Sequence, residues 1–134
     1  MIIGSCHCGD VEFRIQEEEL TVRYCYCTTC RKLSGADYSA VARVARSSFK
    51  ITKGAEFLVA YESKPGKLRY YCSKCFSPIY VTTDRELSFL RVRLGLLDGS
   101  PRVKVTGHMW VSEKPAWRTI EDCLPIYMYE YTGE

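Results

Sequence analysis

At 134 residues, with 46% hydrophobic and 26% charged side chains, the chain has the size and composition of one ordinary soluble globular domain spanning residues 1–134, large enough to bury a core. A formal net charge of +3 is too small for the dense basic stripe of a nucleic-acid binder, so no nucleic-acid partner is expected. No stretch approaches the ~18 apolar residues of a membrane span, and the first residues lack the basic-then-apolar pattern of a signal peptide, so a cytoplasmic protein without membrane contact is expected.

Gly4 to Asp10 reads as a turn, its glycines bracketing Cys6-His7-Cys8. Val11 to Ile15 and Leu20 to Tyr24 alternate apolar and polar residues, the pattern of half-buried strands, with the solvated acidic run Glu17-Glu18-Glu19 between them. The second strand delivers the chain into Cys25-Tyr26-Cys27-Thr28-Thr29-Cys30, and Arg31 to Ser34 suits a helical turn ended by Gly35. Strand-like segments follow at Tyr38–Val44, Phe49–Thr52, Phe57–Tyr61, Lys67–Cys72, Ile79–Thr82, Leu87–Val92 and Val103–Val111. Lys53-Gly54, Lys64-Pro65-Gly66-Lys67 and Asp98-Gly99-Ser100-Pro101 are turns or loops. One helical turn is expected within Trp117–Asp122 and a last strand near Ile126–Tyr129. Short strands joined by turn chemistry predict a mainly β protein built of antiparallel sheets with short helical turns.

Eight cysteines in so short a chain imply either disulfides or metal. A disulfide framework belongs to secreted proteins, and neighbours two or three residues apart rarely have bridging geometry, whereas metal knuckles use that spacing. Seven of the thiols cluster: Cys6 with Cys8; Cys25, Cys27 and Cys30; Cys72 with Cys75. Cys123 stands alone as a buried or incidental thiol. Spacing allows two partitions. Cys27 and Cys30 can pair with Cys72 and Cys75 in one closed site, leaving Cys6, Cys8 and Cys25 over. Alternatively Cys6, Cys8, Cys72 and Cys75 close one site, and Cys25, Cys27 and Cys30 form a second with an open position. The second partition uses all seven clustered thiols, but ligand counting does not decide between them.

The succession Gly-Ser-Cys-His-Cys-Gly, Cys-x-Cys-x-x-Cys-Arg, Cys-x-x-Cys-x-Ser-Pro, then His108-Met109-Trp110 and Pro115-Ala116-Trp117, resembles the glutathione-dependent formaldehyde-activating enzyme family, whose domain also occurs in centromere protein V. The matching order runs from Gly4 to Pro125, and Leu94-Gly95-Leu96-Leu97-Asp98 resembles the family's glycine-x-leucine-aspartate stretch. The resemblance implies a zinc-pinned β-tent with two zinc ions. Cys6, Cys8, Cys72 and Cys75 would hold a structural zinc, and Cys25, Cys27 and Cys30 a catalytic one. One position departs from the pattern: Phe76 stands where the family's second knuckle carries glycine. Glycine tolerates positive φ and phenylalanine does so only with strain, so either the knuckle turns differently here or Phe76 is packed for a local reason.

Three thiolates on divalent zinc leave a net charge near −1, which polarises bound water less than a neutral histidine set and suits an incoming thiol held as thiolate. The implied activity is that of a carbon–sulfur lyase or thiol-adduct enzyme. It would bind glutathione or a similar thiol in the manner of an S-hydroxymethylglutathione synthase. The alternatives are a non-catalytic zinc-stabilised binding module and a thiol carrier. Glutathione carries two carboxylates, and Arg31 and Lys32, directly after Cys30, are candidates to meet them; their other reading is as solvated loop charges. His108 and Trp110, two apart on an expected strand, would share a face and wall the pocket, with a hydrogen-bonded structural role as the other reading of His108. Asp37 is a weaker candidate for a fourth ligand or a supporting group, Trp110 and Trp117 also fit the core, and His7 points away from its neighbours' metal.

Overall fold

The computed structural model describes residues 1–132. Alternating apolar residues form ten strands: β1 (Ile2–Ser5), β2 (Glu12–Ile15), β3 (Glu19–Cys25), β4 (Ser39–Ala45), β5 (Phe49–Lys53), β6 (Leu58–Lys64), β7 (Lys67–Cys72), β8 (Pro78–Thr83), β9 (Phe89–Arg93) and β10 (Arg102–Met109), with one short α-helix, α1 (Thr28–Ser34). They make a three-stranded sheet in the order β1-β2-β5 and a seven-stranded sheet in the order β10-β3-β4-β9-β8-β7-β6. The fold is thus mainly β, as the alternation predicts. Every ladder is antiparallel except β10 against β3, which is parallel.

Period-2 alternation sends one set of side chains from each strand into a common core. Phe13 and Ile15 of the small sheet meet Val22, Ala42, Val44, Leu90 and Val92 of the large one, all buried. The other face of the large sheet carries the residues in between. Register places Arg23 opposite Val41 and Val41 opposite Arg93; one row further, Arg43, Arg91, Val81 and Arg69 stand side by side. Cys25 lies opposite Ser39 at the end of this face. One face of the sheet is therefore apolar, while the other is basic and ends in a cysteine.

Where local signals are weak, the chain departs from its expected elements. Ile2–Ser5, partly assigned to a turn, pairs with β2 as a strand. The helix starts at Thr28, earlier than expected, because Cys27 serves as its N-cap: the Cys27 sulfur accepts the Cys30 N–H at 3.3 Å. It ends where expected, at Gly35, whose φ of 70° is the left-handed cap that glycine adopts without Cβ strain. Gly54 is required for space as well as for its φ of 78°, since a Cβ there would lie 1.9 Å from the Asp10 carbonyl oxygen. Residues 126–129 do not form a strand; they run beside the end of β10, with His108 N–H donating to Pro125 O and Tyr127 N–H to His108 O. The segment from Trp117 to Asp122 contains turns and no helix. Among the described residues no helix is long and apolar enough to cross a membrane.

Candidate functional site

The fold gathers the clustered thiols into two groups: Cys6, Cys8, Cys72 and Cys75 in one, and Cys25, Cys27 and Cys30 in the other. Within each group the sulfurs lie within 4.8 Å of one another. The pairing of Cys27 and Cys30 with Cys72 and Cys75 is not the one the strands make. In the first group, Cys6 Sγ lies 3.6 Å from Cys8 Sγ, and Cys8 Sγ lies 3.8 Å from Cys72 Sγ. Four sulfurs at ~2.3 Å from a tetrahedral centre are separated by about 3.8 Å, so the spacing fits a metal ion. Backbone N–H groups of Val11 and Lys74 point at the sulfurs of Cys6 and Cys72, as donors around thiolates do. Each cluster can hold one metal ion.

Phe76 settles how the second knuckle turns. Its φ is 62°, so the backbone takes the left-handed course that glycine would favour, with Phe76 N–H donating to Cys72 O and Cys72 N–H to Ser77 O. The ring is 69% exposed, so no packing compensates it. The knuckle keeps its shape, and the phenylalanine bears the strain.

The three-cysteine group is built from the end of β3 and the first turn of α1. Cys25 and Cys30 are buried and Cys27 is half-buried. The Glu113 carboxylate accepts the Thr28 N–H at 2.9 Å, tying the start of the helix to the segment after β10. That bond holds the Glu113 carboxyl below its ordinary range. Tyr26, between two of the cysteines, points the other way into full burial. There its hydroxyl meets His108 Nδ1 at 2.8 Å, and His108 Nε2 lies 3.0 Å from both oxygens of Asp122. An ionised carboxylate only accepts, so Nε2 carries the proton and Nδ1 accepts from Tyr26. Burial pushes the Tyr26 phenol up, keeping it the donor.

Cys25, Cys27 and Cys30 open into a cavity of about 580 Å³ on the basic face of the large sheet. Its lining includes eight lysines and arginines, Arg23, Arg43, Lys64, Lys67, Arg69, Arg85, Arg91 and Arg93, against two acids, Glu86 and Glu130. Arg69 and Arg93 are 2% and 6% exposed. Arg69 Nε donates to Ser63 at 3.0 Å, Arg93 donates to Ser39, and Arg93 Nε has no hydrogen-bond partner. The Cys30 thiol is pulled strongly down: bonds from Cys25 and Cys27 favour its thiolate, burial opposes, and the charges of Arg69 and Arg93 assist. Cys25 is pushed up, because it donates to the other two sulfurs and is itself buried. The group therefore concentrates negative charge on sulfur against a basic wall. The four-cysteine group does not line this cavity.

Of the candidate substrate-binding residues, Trp110 lines the cavity. Arg31 and Lys32 do not: Arg31 reaches back to Thr28 Oγ1 at 3.5 Å, and Lys32 is exposed on α1. The expected shared face of His108 and Trp110 is not formed. β10 ends at Met109, and Trp110 has a φ of 57°, so alternation stops there and the histidine turns inward while the tryptophan faces the cavity. Asp37 accepts from Trp117 Nε1 at 2.7 Å and joins neither thiol group. Cys123 is exposed. The basic wall is what motif reading misses. Its signal is present as alternation, with Arg91 and Arg93 in β9, Lys67 and Arg69 in β7 and Arg43 in β4, but only the register shows that these residues share a face.

A sequence profile of the glutathione-dependent formaldehyde-activating enzyme family matches residues 1–113, most of the chain. The chain belongs to this family. A relative from Halomonas elongata, named "Putative glutathione-dependent formaldehyde-activating enzyme", is 30% identical over 129 aligned residues, covering 90% of this chain and 82% of the relative. A crystal structure of a Rhodobacter sphaeroides protein superposes with a TM-score of 0.62 at 24% identity, covering 78% of this chain and 99% of that one, and shows a shared fold. The family match ends at Glu113, the residue that holds the start of α1.

Proposed function

We propose that this chain binds an anionic thiol, glutathione or a relative of it, at Cys25, Cys27 and Cys30, and forms or cleaves the adduct of that thiol with a small aldehyde. This is carbon–sulfur lyase chemistry of the S-hydroxymethylglutathione synthase kind. The observation that carries the reading is that the three-cysteine group opens into a basic cavity, whereas the four-cysteine group does not. The donor set in each case is thiolate, which suits zinc. Cys6, Cys8, Cys72 and Cys75 would close a structural site, and the trio would leave one position free for the ligand. Bound there, zinc supplies the positive charge that keeps an incoming thiol deprotonated near neutral pH.

The remaining work falls to the chain. Arginines on the face ahead of Cys25 would receive the carboxylates, with Arg43 four residues beyond Ser39, about 13 Å along β4. Arg69 and Arg93 offset the negative charge of the thiolates and orient anionic groups beside them. Trp110 and Met109 wall the end of the cavity near the trio. In the synthetic direction the thiol gives its proton to water, its sulfur forms a bond to the carbonyl carbon, the carbonyl π pair moves to oxygen, and that oxygen takes a proton back from water. Cleavage reverses each step.

Isothermal titration of the zinc-loaded protein with glutathione tests the reading. Saturable one-to-one binding is expected, lost in Cys27→Ser while the far-UV circular dichroism and the other zinc are retained. Undiminished binding in Cys27→Ser, or loss of the whole fold, would assign the trio a structural role and leave a binding module in place of an enzyme.

A further inference from the structure

Arg23, Arg43, Lys67, Arg69, Arg91 and Arg93 stand on one face of the large sheet because β3, β4, β9, β8 and β7 pair in that order. The cavity lining carries two carboxylates. Glu86 bonds Arg43 and Arg91, and Glu130 lies 3.9 Å from Arg85. Arg69 and Arg93, each more than nine-tenths buried, have serine hydroxyls as their hydrogen-bond partners, and Arg93 Nε points at none. Burial and the charge of Arg69 hold the Lys67 ammonium below its ordinary range. The trio with a divalent ion contributes a net charge of only about −1, so the wall keeps a surplus of positive charge that a ligand has to meet.

That surplus discriminates among thiols. Each anionic group on a ligand finds a guanidinium fork or an ammonium. A ligand ammonium finds only Glu86, already bonded to two arginines, and the exposed Glu130 beside Arg85, with several cations within reach of it. Glutathione brings two carboxylates and one ammonium, so one of its three charged groups is mismatched to this wall. We propose that the thiol recognised by this cavity carries only anionic groups besides its sulfur, carboxylate or phosphate, and no ammonium. The proposal rests on the reading that the sulfur sits at Cys25, Cys27 and Cys30, and it narrows the substrate class of that site.

The test is calorimetric titration of the zinc-loaded full chain with glutathione, with N-acetylglutathione, which differs by loss of the ammonium, and with phosphopantetheine, a thiol whose charged group is a phosphate. N-acetylglutathione is expected to bind at least about tenfold more tightly than glutathione, the size of one close charge contact at a partly wetted site. The ratio should shrink as salt screens the wall. Tighter binding of phosphopantetheine than of N-acetylglutathione would assign the anion slot to phosphate, and the reverse order would assign it to carboxylate; either supports the proposal. Equal or tighter binding of glutathione would overturn the proposal and leave the thiol centre standing. Absence of binding by all three thiols, or binding unchanged in Cys27→Ser, would overturn the thiol-centre reading itself.

Discussion

Phe76 carries a left-handed backbone with no packing to offset it, a conformation that costs a non-glycine residue about 1–2 kcal/mol. Phe76→Gly should therefore stabilise the protein by roughly 1 kcal/mol, after the larger unfolded-state freedom of glycine takes back part of the gain. A rise in the urea midpoint at unchanged slope would show it; a fall would mean that the exposed ring has a contact of its own to lose. Glu86 is the second informative residue. Burial raises its carboxyl pKa, but bonds from Arg43 and the charges of Arg91 and Arg43 outweigh burial and leave it below the ordinary value. A lowered folded-state pKa stabilises the protein above the ordinary carboxylate range, and the stabilisation disappears as pH falls through the folded value. Glu86→Gln should cost about 1–3 kcal/mol at pH 7, the range for a charged hydrogen bond, and nearly nothing once the native carboxyl is protonated. Unfolding curves over a series of falling pH measure the difference, and a loss that does not shrink before acid unfolds the chain would contradict the charge as its source.

At the scale of elements, α1 is too short to be stable alone and is held by what touches its ends. Cys27 caps it through sulfur, Gly35 closes it, and Glu113 reaches from beyond β10 to the Thr28 N–H. Glu113→Ala should loosen this start and, with it, the arrangement of Cys27 and Cys30. Metal release from the trio to a chelator should speed up several-fold, as for other groups that support ligands, while the four-cysteine site keeps its rate. Two-phase release kinetics with a coloured chelator separate the two sites. A uniform acceleration of both phases would show that Glu113 acts on general stability. The chain from exposed Asp122 through buried His108 to buried Tyr26 binds the same loop from behind, so the segment after β10 grips the trio at two points.

At the scale of the whole molecule, the strands and the thiol clusters were legible because their signals are local. Val22-Arg23-Tyr24-Cys25 alternates within itself, and a Cys-x-Cys or Cys-x-x-Cys spacing is visible without a partner. Spacing alone left open which clusters combine, since Cys6 and Cys72 are far apart in the chain; the family resemblance implied the grouping that the fold makes. The cavity was the least legible feature. Arg43, Arg91 and Arg69 lie in three strands, and they become one row only through register, which depends on ladders and turns together. Arg31 and Lys32, adjacent to Cys30 in sequence, drew the expectation of carboxylate contacts, and they lie outside the lining of the cavity. Trp110 breaks the alternation after Met109 with a positive φ that no residue type in that stretch announces.

The most direct test of the proposed open thiol centre is the absorption spectrum of the cobalt-substituted protein, because sulfur-to-metal charge transfer reports the thiolates around each ion. Addition of glutathione or N-acetylglutathione should strengthen that band and shift the ligand-field bands, in the wild type and not in Cys27→Ser, as a further sulfur joins Cys25, Cys27 and Cys30. A spectrum that stays unchanged at saturating thiol, with both sites loaded, would contradict an open thiol-binding position at the trio.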